Sequence, residues 1–75
     1  MTALFITGDH QGYEAQIKNV FHDYIEVWGY WANWDWVWPD QVLFEGQVYE
    51  FTTSYSVEPE EGRETKIVSK FSLKK

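Results

Sequence analysis

QGYEAQIKNVFHDYIEVWGYW, residues 11–31, decides how the whole chain is read. From Tyr13 on, its apolar residues fall at Ile17, Val20, Phe21, Tyr24, Val27, Trp28 and Trp31. Steps of three and four are the mark of one helical stripe. Lys18, Asn19, His22, Asp23 and Glu26 fill the opposite side. Alternation fits less well, because a strand would put Lys18, Val20, His22 and Tyr24 on one face. Asp9 stands where a helix cap belongs, and Gly29 where a helix stops. The spacing predicts a helix over residues 11–28, with Phe21 against the core and Asp23 and Glu26 in water.

On either side of this stretch the pattern is extended. ALFITG, residues 3–8, is a short apolar run closed by Gly8. After Gly29 the period becomes two, with Tyr30, Trp34, Trp36 and Trp38 on one side and Trp31, Asn33, Asp35 and Val37 on the other. Pro39-Asp40 reads as a turn, and Gly46 as either a tight hairpin turn or a bulge. EPEEG, residues 58–62, is a further turn, after which Ile67, Phe71 and Leu73 alternate with Lys66, Lys70 and Lys74. The expected fold is α+β over a single domain, 1–75, in the order β-α-β-β-β. One helix packs on a mainly antiparallel twisted sheet of four to five strands.

Five tryptophans between Trp28 and Trp38 must be placed in it. The expected core takes Ile17, Val20, Phe21, Tyr24 and Trp28 from the helix. From the sheet it takes Trp34, Trp36, Trp38, Tyr49, Phe51, Tyr55, Ile67, Phe71 and Leu73. Trp31, Val37, Val48 and Val68 remain for the far face of the sheet, and an uncovered apolar patch marks a contact surface. Alternatively, Trp34, Trp36 and Trp38 on one open strand face would stand about 7 Å apart and could stack on a polysaccharide.

Composition narrows the function. The chain has 75 residues, no Cys and two His, which excludes disulfides and thiolate metal sites. No metal or cofactor is expected. No run has the length of a membrane span, no signal-peptide pattern opens the chain, and the expected location is cytoplasmic. Residues 1–64 hold twelve carboxylates against Lys18 and Arg63, whereas Lys66, Lys70, Lys74 and Lys75 close the chain. The net charge of −6 repels nucleic acid and attracts basic surfaces. The charges among the tryptophans, Asp35 and Asp40, also have the wrong sign for phosphate, so direct nucleic-acid binding is not expected.

GDHQGYEAQIK, residues 8–18, resembles the opening of the sugar-phosphate isomerases related to ribose-5-phosphate isomerase B. Asp9, His10, Gly12, Tyr13 and Glu14 carry the resemblance, which covers roughly the first quarter of the chain. There is no Cys for the base that many of those enzymes use, and the later segments read as strands rather than parallel α/β units. With two His and no nucleophile–base pair, the chain reads as a non-enzyme.

What remains is a small acidic interaction module. In size, acidity and aromatic content it resembles, as a class, the inhibitors that phages use against host defence, such as anti-CRISPR proteins. It would block a nucleic-acid enzyme by docking on its basic surface, with carboxylates imitating phosphates. Trp31 and Val37 are the expected apolar contacts. Asp35, Asp23, Glu26, Glu58, Glu60, Glu61 and Glu64 are the expected acidic ones. The rivals are a carbohydrate-binding module and a constitutive homodimer.

Overall fold

The computed structural model describes residues 1–57 and 65–74, and every regular element in them is a β-strand. In chain order these are β1 (Thr2–Phe5), β2 (Glu14–Val20), β3 (Tyr24–Trp28), β4 (Tyr30–Ala32) and β5 (Asp35–Val37), then β6 (Gln41–Phe44), β7 (Gln47–Val57) and β8 (Lys66–Leu73). Six form a closed antiparallel barrel in the order β1-β2-β3-β8-β7-β6, with β6 pairing back onto β1. The other two, β4 and β5, make a separate hairpin. Closure leaves no free edge in the ring. Among the described residues no helix is long and apolar enough to cross a membrane.

The expected helix over 11–28 is therefore overturned, and with it the α+β class. β2 and β3 form a hairpin turning at residues 21–23, closed by the Phe21 N–H donating to the Tyr24 carbonyl at 2.9 Å. A β-bulge explains the false stripe. Ile17 pairs with Val27 but Asn19 pairs with Glu26, so β2 carries one extra residue there. Across it the inward side passes from Ala15 and Ile17 to Val20, opposite Ile25, but Val20, expected in the core, is exposed at the end of the strand. Tyr24 and Trp28, meanwhile, lie four apart on the outer face with Glu26 between them. Two faces of a bulged hairpin together produce intervals of three and four. The β-branched residues Ile17, Val20, Ile25 and Val27 favour the extended form throughout.

The core is the barrel lumen: Ala3, Phe5, Ala15, Ile25, Val27, Val42, Phe44, Tyr49 and Phe71, with Tyr13, Ile17, Tyr30, Phe51 and Leu73 packed against it. Phe21, expected inside, is exposed at the β2–β3 turn and stacks on Tyr24. A second bulge, between Phe51 and Thr53 of β7, turns Tyr55 outward. Val68, expected on an uncovered far face, is fully buried on the outer surface, in register with Trp28 on one side and Tyr55 on the other. Gly46 belongs to a tight hairpin: Phe44 pairs with Gln47, and Glu45 and Gly46 both have positive φ. The segment resembling an isomerase opening leads from β1 into an antiparallel partner, not into a helix.

Candidate binding site

Each of the five tryptophans has its own surroundings, and none lies in the core cluster. Trp28 is half-buried on the outer face of β3, with the ammonium groups of Lys66 and Lys18 at 5.4 and 5.7 Å from its ring centroid. Trp31 and Trp36 are opposite one another on β4 and β5, edge to face at 5.1 Å and 72°. Trp38 is exposed and stacks on Phe51 at 5.5 Å. Trp34 is at the hairpin tip and is 90% exposed. The expected burial of Trp34, Trp36 and Trp38 is thus corrected. Nor do the three form a line on one strand, because the chain reverses at Asn33-Trp34.

The reversal is a two-residue turn, since Ala32 pairs with Asp35. Asn33 and Trp34 both adopt left-handed backbone, with φ of 51° and 64°. Such hairpins favour Asn-Gly, because the second residue pays a steric cost for any Cβ. The Glu45-Gly46 turn of the same barrel follows the preference. The Asn33-Trp34 turn puts the largest side chain there instead and leaves it in water.

The hairpin is braced from below. Tyr30 stacks on Tyr13 at 3.8 Å and meets Phe5 and His10 edge on. The Gly29 N–H donates to the Ile67 carbonyl at 2.7 Å, tying the root of β4 to β8. Between hairpin and barrel lies a cleft of about 340 Å³ lined by Tyr13, Gln16, Trp28, Gly29, Trp31, Trp36 and Lys66. Aromatic side chains dominate its lining, which contains no carboxylate among the described residues.

Among the described residues the expected acidic contacts fall on different elements. Asp35 is exposed beside the tip, where its carboxylate accepts the Trp36 N–H at 2.8 Å. Val37, half-buried opposite Tyr30, shares that hairpin with Trp31. Asp23 is exposed at the β2–β3 turn, where its carbonyl accepts the Leu73 N–H. Glu26, expected in water, is buried on the outer wall of the barrel. It accepts hydrogen bonds from the Tyr55 hydroxyl and, at 3.0 Å, from the Asn19 amide. Burial pushes its carboxyl up, but those bonds and the charges of Lys18 and Lys70 outweigh it, so the net shift is downward. Glu58, Glu60, Glu61 and Glu64 lie outside the described residues.

Reasoning from the sequence missed Trp34 as an exposed residue, and it missed the cleft. The first had a local signal: Asn33-Trp34 sits between residues that can pair across a two-residue loop. The second had none, since the cleft joins residues from β3, β4, β5, β8 and the start of β2. Among the described residues no three His, Asp or Glu side chains gather as a metal site. Comparison with protein-family models, with curated proteins and with solved structures finds no match to this chain.

Proposed function

We propose that this protein is a non-catalytic binding module that docks on another protein through its β4–β5 hairpin, with Trp34 and Trp31 as anchors. One observation carries the proposal. Trp34 occupies a left-handed position that costs about 1–2 kcal/mol for a residue with a Cβ, and at 90% exposure it recovers nothing by packing. An exposed Trp on a braced hairpin matches the residue type most enriched in interface hot spots. Trp31, 52% exposed on the same hairpin, supplies a second apolar contact.

The net charge of −6 supports a partner with a basic surface, and Asp35 brings a carboxylate to the tip. The form we favour is an inhibitor acting in the cytoplasm that occupies the basic groove of a nucleic-acid enzyme, as phage-encoded anti-defence proteins do. The test is affinity capture with the wild-type chain and with Trp34→Gly, paired with light scattering. An identified basic protein captured by the wild type and lost in the variant supports the proposal. Equal capture by both removes Trp34 as an anchor. A dimer that Trp34→Gly dissociates, with nothing captured, replaces docking by self-association.

A further inference from the structure

We infer that the cleft between the β4–β5 hairpin and the barrel is a second site, sharing Trp31 with the docking hairpin, which binds a flat ring carrying an anionic group. Its volume of about 340 Å³ falls within the range of small-ligand pockets, roughly 300–1,000 Å³. Trp31 and Trp36 stand near-perpendicular at 5.1 Å and form a corner, where a flat guest can stack on one ring and meet the edge of the other. Gly29 keeps the wall closed. A Cβ there would come within 2.9 Å of Trp36 and of the Ile67 carbonyl oxygen, so the indole lies against bare backbone.

The charge of the guest follows from what already occupies Trp28. Aromatic cages ordinarily take cations, because ring faces are negative. Here the protein's own Lys66 and Lys18 hold that position, at 5.4 and 5.7 Å from the Trp28 centroid. Lys66 lines the cleft and Gln16 adds an amide that can donate, while no described lining residue is acidic. An incoming cation meets an ammonium group that no carboxylate among the described lining residues offsets. An incoming anion meets a donor already in place.

This local sign opposes the net charge of −6. Lys74 is paired with Glu50 at 3.5 Å, but among the described residues Lys18, Lys66 and Lys70 form no ion pair. Glu26, on the same outer face as Trp28, has its oxygens engaged by Tyr55 and Asn19. Of these lysines, Lys66 lines the cleft and has no carboxylate partner among the described residues. An aromatic carboxylate and a nucleotide both present a ring with an anion, and the site chemistry is shared between them.

The experiment titrates the full chain with indole-3-acetate, adenosine 5′-monophosphate, indole and tryptamine, followed by tryptophan fluorescence and by the indole N–H resonances. Indole-3-acetate should bind about tenfold more tightly than tryptamine, an energy set by one charge-assisted contact. Lys66→Gln should abolish that preference. Lys74→Gln, which changes the net charge equally at the paired lysine, should retain it. Tighter binding of the nucleotide than of indole-3-acetate would identify a nucleotide as the source, and the reverse an aromatic acid. Tryptamine binding as tightly as indole-3-acetate, a preference that survives in Lys66→Gln, or no saturable binding of either anion would overturn the inference. These outcomes leave docking through Trp34 untouched, because Trp34 does not line the cleft, whereas Trp31 is common to both readings.

Discussion

Tyr55 of β7 donates its phenolic hydrogen to Glu26 of β3 across the width of β8, on the outer wall of the barrel. Lys70 of the intervening strand lies 5.7 Å from the Tyr55 ring centroid. Glu26 is thus a buried carboxylate on the outer face, beside the buried Val68 and the half-buried Trp28. It stays ionised because hydrogen bonds and lysines replace the water it has lost.

The pair predicts a stability profile with two limbs. The Glu26 carboxyl is lowered in the fold, so its contribution is present above the unfolded carboxylate range and is lost as pH falls through the folded value. The Tyr55 hydroxyl is pushed up to about 12, chiefly by the bond to Glu26, from an ordinary 10.0. Its contribution is complete below pH 10 and disappears as pH rises toward 12. Tyr55→Phe should therefore flatten the alkaline limb and cost about 1–3 kcal/mol at neutral pH, because it strips a partner from a buried carboxylate. Urea midpoints across pH measure both. An unchanged alkaline limb in the variant would remove Tyr55 as its source.

Phe21 and Phe71 should part company. Phe71 is 1% exposed at the centre of the lumen, and Phe71→Ala should cost about 3–5 kcal/mol. Phe21 is 42% exposed and has Tyr24 as a stacking partner, so Phe21→Ala should cost about 1 kcal/mol or less. The helix expected from the sequence would have made Phe21 one of the costliest residues to truncate. Denaturation of the two variants separates the architectures without any structure determination.

What the sequence disclosed and what it hid both trace to bulges. β1, β6 and β8 follow apolar runs or plain alternation, as β7 does up to Phe51, and Gly46 marked either a hairpin or a bulge, of which the structure shows the hairpin. β2 and β3 were not, because the extra residue at Ile17–Asn19 joins two alternating faces into an apparent helical period. The bulge at Phe51–Thr53 does the same to Tyr55, which parity assigns to the core and the fold puts outside. One inserted residue reverses every side chain beyond it, and no periodicity measured over the whole strand survives that. The net charge of −6 is a property of composition and does not depend on register. The cleft could not be read at all, because closure of the barrel brings its residues together.

Gly29→Ala tests whether the hairpin is braced as described. The new methyl would meet Trp36 and the Ile67 carbonyl oxygen at 2.9 Å, and the latter is backbone that cannot rotate away. Relief requires the β4–β5 hairpin to tilt off the barrel. The expected cost is about 1–3 kcal/mol, the scale of overpacking in a tight site. Tryptophan near-ultraviolet dichroism should weaken with it, because the Trp31–Trp36 corner loses its support. Far-ultraviolet dichroism should stay the same, since the six-stranded ring does not depend on that contact.

The last prediction sets stability against function at a single residue. Trp34 holds a φ of 64°, where glycine is at ease and a side chain is not. Its indole is 90% exposed, so removing it takes almost no buried surface from the fold. Trp34→Gly should therefore raise stability by about 1 kcal/mol, the strain now carried at the left-handed position. Two terms oppose the gain: glycine widens the unfolded ensemble, and the turn keeps Asn33 at φ 51°. Against a strain of about 1–2 kcal/mol, the glycine term of about 0.4–1 kcal/mol still leaves a net gain, and the Asn33 term is small because Asn tolerates that conformation well. Trp34→Ala, which keeps the Cβ and loses only the indole, should leave stability nearly unchanged. If docking depends on the ring, both variants should lose capture of the partner equally while differing in stability. If Trp34→Gly is instead destabilised as much as a buried tryptophan would be, the indole is packed rather than exposed, and the anchor assigned to it fails.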